Sequence, residues 1–200
     1  MSIDVLDHAL GVAAGDRLDT IRGARTDTRA NAQRSYDAIF SPAVGNGLSV
    51  AERLALAVVI SRWHGETPLS THYESEFSRA EPSPDMIAAL REISAAGTTS
   101  GPYGVYREAG LAGESVEGLH FVVPDAPRAV VGDELSALIE HVHLLVFRPR
   151  EASAEALQML LDEGWTTTDL VCASQLVAFL SFQIRYATGL AVLRTSMESK

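Results

Sequence analysis

Seven consecutive apolar residues, Leu54 to Ile60 (LALAVVI), stand between Glu52-Arg53 on one side and Arg62 on the other. A helix through them is apolar on every side and has to be covered all round. The run is too short for a membrane span, so the cover must come from protein, and the segment predicts a core helix. Ser49 and Glu52 have the S-x-x-E spacing of a capping box, which puts the helix start at Val50. His64-Gly65 ends it. Thr67-Pro68 then supplies an N-cap and a proline at the first helical position, so a second helix is predicted from Pro68 to about Ala80.

The remaining periodicities are also helical. Leu18, Ile21 and Arg22, then Ala32, Tyr36, Ile39 and Phe40, recur at three to four residue spacing and suggest two amphipathic helices before a loop at Pro42 and Gly45-Asn46-Gly47. Ser83-Pro84 opens a further helix with Met86, Ile87, Leu90 and Ile93 on one face and Gly97 at its end. Leu135 to Val146 keep helical spacing until Pro149, Ala154 to Glu163 make a short helix closed by Gly164, and a long apolar helix runs from about Asp169 to Gly189. Between them, 98–132 breaks into glycine and proline turns, with Tyr103, Tyr106 and Phe121 favouring an ordered flap and His120 to Val123 a strand-like piece. The expectation is an all-α fold over 1–200 as one unit. It has an N-terminal helical extension (1–47), core helices (48–97), an irregular loop (98–132) and C-terminal helices (133–200), the last long helix packing on the Val50 helix.

With 16 basic and 26 acidic residues the formal net charge is −10, which argues against nucleic-acid and anionic-membrane partners, since both need a cationic surface. No charged n-region precedes an apolar one, no apolar run reaches membrane length, and the single cysteine, Cys172, cannot form an internal disulfide. A reducing cytoplasm is the expected setting.

The S-x-x-E start, the alanine- and valine-rich helix, the small-residue corner and the short helix carrying His72 resemble the alkylhydroperoxidase D and carboxymuconolactone decarboxylase family. The likeness spans Leu48 to about Phe77 and Asp133 to Leu190, where a polar cap leads into a Phe-containing apolar helix with Arg185 and Gly189-Leu190 near its end. The resemblance implies a helical oligomer. Redox members carry C-x-x-C at the second helix, and those positions fall here on Glu66 and Leu69, the histidine on His72 or Tyr73, and an upstream glutamate on Leu54. Neither Glu66 nor Leu69 can attack a peroxide or form a disulfide, so dithiol peroxidase activity is not expected.

The candidate chemistry is therefore acid/base: Glu66 at the helix N-terminus and Tyr73 as partners of His72, with Glu76 one turn on at the same face. Glu140-His141-Val142-His143 has the E-x-x-H spacing of carboxylate metal sites, but those need two such motifs. His141 and His143 lie about 200° apart at roughly 100° per residue, so no metal is expected unless His72 and Glu76 complete a set. Arg185 on an apolar helix needs a carboxylate, Glu66 or Glu140, or a path to solvent. Cys172, with no basic neighbour in its own turn, suggests an inert thiol. Two functions follow: a cofactor-free acid/base enzyme on a small organic substrate using Glu66, His72 and Tyr73, or a catalytically degenerate homo-oligomer that binds a small molecule or protein, with Glu140, His143 and Arg185 as pocket or structural residues. A metal-binding helical protein is a minor third.

Overall fold

The computed structural model describes residues 4–42 and 47–198. In order it contains α1 (Val5–Leu10), α2 (Arg17–Gly23), α3 (Thr26–Phe40), α4 (Val50–Trp63), α5 (Pro68–Arg79), α6 (Pro84–Ala96), α7 (Asp125–Val131), α8 (Asp133–Phe147), α9 (Ala154–Asp162) and α10 (Thr167–Glu198). Short 3-10 turns occupy Ala109–Glu114 and Pro149–Glu151. No strand occurs among the described residues, only an isolated bridge between Gly104 and Val116, so the fold is all-α. The expected Gly45-Asn46 turn lies outside the described residues.

α4 is the hub, touching α3, α5, α6, α8 and α10. Leu54 to Ile60 are all buried, each large aliphatic side chain contributing about 1.5–3 kcal/mol of transfer free energy. Its start is set locally: Ser49 Oγ accepts from the Glu52 N–H at 3.2 Å while the Ser49 N–H donates to Glu52 Oε2 at 2.7 Å. Thr67 caps α5 the same way through Ser70, with Pro68 at the first position. At the corner between these helices Gly65 has φ +103°, the left-handed conformation that glycine adopts freely.

Three features depart from the sequence expectations. α7 forms inside the expected loop, and 120–123 is not a strand. α1 precedes the two predicted N-terminal helices. Arg22, on the predicted apolar stripe, is buried and donates to Asp4 Oδ1 at 2.9 Å and to Asp7, while Arg29 bridges Asp7 and Asp19, so ion pairs fasten α1, α2 and α3 together. The third departure is α10, which runs to Glu198 and is long and apolar enough, by length and composition, to cross a membrane. In this fold 44% of that apolar window is buried against the other helices.

Candidate functional site

The predicted trio at the α4–α5 corner does not converge. Glu66 is a surface residue, its side chain 75% exposed, paired with Arg62 Nη1 at 2.9 Å. Thr67 caps α5, as the sequence predicts. Tyr73 is fully buried; its hydroxyl donates to Gln183 Oε1, and burial holds the phenol well above its ordinary pKa. His72 is half-buried, its Nε2 sharing a 3.0 Å hydrogen bond with the Tyr36 hydroxyl. Burial lowers its pKa against the opposing pull of Glu76, with His8 and Arg79 adding to the depression. Glu76 itself pairs with Arg79, and these residues line only a small surface cleft beside α1.

Two larger clefts flank α8. One, of about 510 Å³, lies where the end of α4, residues 99–102, the end of α8 and α10 meet. The histidine that enters it is His64, the C-cap of α4. Its Nδ1 lies 2.9 Å from the Ile60 carbonyl oxygen, so Nδ1 carries the proton and donates, leaving Nε2 as the acceptor. Burial lowers the His64 pKa, the Ile60 carbonyl opposes this, and the positive charge of Arg185 lowers it further. Arg185 is exposed, makes no ion pair within 4 Å among the described residues, and is the one formally charged side chain in the lining. Neither Glu66 nor Glu140 reaches it. Thr99, Ser100 and Ser181 add hydroxyls, and Trp63, Leu145, Val146 and Phe147 an apolar wall. Sequence reasoning missed His64 because it sat at a helix end beside glycine; a histidine there can bond the last carbonyls, a usable signal.

The second cleft, about 480 Å³, lies between α8, α9 and the 120–122 segment. Ala137, Glu140, His141 and Leu144 form the α8 stripe that lines it, the i, i+3, i+4, i+7 pattern of one helix face. Glu140 accepts from the Val123 N–H at 2.8 Å and from Arg128. Arg148 donates to His120 and, at 2.6 Å, to Glu151.

Between the clefts stands an aromatic partition of Trp63, Phe121, His143 and Phe147. His143 is fully buried; its Nε2–H donates to the Gly97 carbonyl at 2.9 Å and its Nδ1 has no partner among the described residues. Burial drives its pKa down to about 4, the Gly97 carbonyl resisting and Arg148 adding to the depression. Gly97 is needed here, since a Cβ would lie 2.8 Å from Trp63 Nε1. His141 and His143 thus face different surroundings, as their angular separation requires. Among the described residues no three His, Cys, Asp or Glu side chains are grouped to hold a metal. Cys172 is half-buried, and although its own helical turn offers no cation, Arg53 Nη2 approaches its Sγ to 4.0 Å from α4.

Comparison with known proteins gives no independent guide to the chemistry: no protein-family model matches the chain, and no curated protein matches it.

Proposed function

We propose that the chain is a cofactor-free helical protein that uses His64 as a general base on a small organic anion held by Arg185. The observation that carries this is the tautomer: an imidazole tied through Nδ1–H to a backbone carbonyl presents a lone pair on Nε2, in a cleft whose single formal charge is a cation. The depressed pKa keeps the ring neutral at pH 7, the form a base requires. In the reaction the substrate's acidic proton passes to Nε2, the Ile60 carbonyl stabilises the resulting imidazolium, and Arg185 offsets the substrate's negative charge. The cleft's volume falls in the range of small-molecule sites.

The carboxymuconolactone decarboxylase resemblance enters as part of this proposal. The capped α4–α5 corner supports it, and so does the acid/base, rather than thiol, character of the cleft beside that corner. Homo-oligomerisation belongs to it too: Val171, Phe182 and Leu193 are exposed along α10 at eleven-residue intervals, a spacing that returns to about the same helix face.

The test is deuterium uptake from D2O into phenylmalonate and other carboxylic acids with an activated C–H, followed by NMR. We expect His64→Gln to lower the rate by about 100-fold or more, and Arg185→Gln to weaken half-saturation by about tenfold with the limiting rate little changed. Uptake no faster than in buffer, or undiminished in His64→Gln, overturns the enzymatic reading. The lining contains no second titratable group besides Arg185, which favours a pure binding role as the second reading; benzoate binding without exchange would select it.

A further inference from the structure

From the α8/α9 cleft we infer that the protein carries a second ligand site, one for a protonated organic amine with an apolar body. The first observation is His141. It is 7% exposed and lines the cleft, yet it makes no hydrogen bond to the protein among the described residues. A side chain this buried and polar normally has a partner, and the His141 nitrogens, which unlike His143 Nδ1 are not sealed from solvent, remain open to a group that enters the cleft.

The second observation is the charge balance. Asp133, Glu140 and Glu163 face Arg128 and Arg148 in the lining. Both cations are already held, Arg128 by Glu140 and by Asp133 at 3.4 Å, and Arg148 by Glu151. His120 lies against Arg148 Nη1. Glu163 makes no ion pair among the described residues, and it is the C-cap of α9, the helix end that carries partial negative charge. An anion entering here finds no free cation. An ammonium finds a carboxylate, a helix C-terminus and the acceptor nitrogen of a neutral imidazole, the donor-acceptor match that charge-assisted hydrogen bonds need. Burial alone depresses the His141 pKa, which keeps that acceptor available at neutral pH. Phe121, Leu144, Met159 and Leu160 supply the apolar body's contacts.

This site is independent of the His64 cleft, and the two take ligands of opposite charge. The test uses three probes of nearly equal shape, benzylamine, benzyl alcohol and benzoate, titrated into the full chain and followed by amide NMR shifts. Benzylamine is expected to shift amides of residues 137–144 and 159–163 and to bind about tenfold more tightly there than either other probe. Glu163→Gln and His141→Phe should each weaken it by about tenfold, with the fold of each variant checked by circular dichroism. Glu163 is exposed, so its variant keeps the test decisive if His141→Phe does not fold. Equal binding of benzyl alcohol, shifts elsewhere, or undiminished binding in Glu163→Gln overturns the inference.

Discussion

The two clefts that flank α8 are similar in size and opposite in character. In the α4/α10 cleft the histidine is oriented by a backbone carbonyl and the one formal charge in the lining is Arg185, which makes no ion pair among the described residues. In the α8/α9 cleft His141 makes no hydrogen bond to the protein among the described residues, and both arginines are paired with carboxylates. One helix serves both because its faces diverge by about 100° per residue: Glu140, His141 and Leu144 look one way, Leu145 and Val146 the other. What this teaches is that histidine chemistry here is decided by which carbonyl or charge each ring meets, and His64, His141 and His143 acquire three different hydrogen-bonding states.

The largest effect should come from the partition. Trp63→Ala removes the ring packed against Phe121, His143 and Phe147, and a cost of about 3–5 kcal/mol is expected in urea unfolding. If the loss is below about 1 kcal/mol, the clefts are not separated by a packed wall.

The next is a pH effect. His143 has a folded-state pKa of about 4 against an ordinary 6.5, so between these values the unfolded chain binds the extra proton. Its contribution is fully present above pH 6.5 and is lost as pH falls towards 4, by about 3 kcal/mol in all. His143→Phe should flatten that slope. An unchanged slope would mean that folding leaves the His143 pKa where it is in the unfolded chain.

A smaller effect separates the clefts directly. Arg185→Gln should weaken benzoate binding by about tenfold, or about 1.4 kcal/mol, and leave benzylamine unaffected. Parallel loss of both probes would show one shared site.

The smallest expected effect concerns the corner itself. Glu66→Gln breaks an exposed pair with Arg62 and should change stability by less than about 0.5 kcal/mol, with both probes binding as in the wild type. A tenfold loss of either would return Glu66 to the site.

Most of the fold was legible because it is written in local chemistry. Ser49 with Glu52, Thr67 with Pro68, and Ser83 with Pro84 mark helix starts by satisfying the first free N–H groups, a need that involves only neighbours in sequence. The unbroken run at Leu54 to Ile60 demanded full cover and received it. Less was legible where the partner came from far away. Arg22 falls on a stripe that periodicity marks as apolar, and only the approach of Asp4 and Asp7 makes its burial tolerable. α7 lay hidden in a stretch whose glycines and prolines suggested a loop.

By itself, then, the sequence determined the helical class, most helix limits and the angular opposition of His141 and His143, because each follows from spacing along a single helix. The tertiary structure decided which groups do chemistry together. Glu66 and Tyr73 are close in the chain, yet one faces solvent and the other the core. His64 and Arg185 are far apart in the chain, yet α4 and α10 pack so that both line one cleft. Spacing along a helix sets direction only about that helix's own axis. What a side chain meets in that direction depends on the neighbouring helix, which its own turn does not encode.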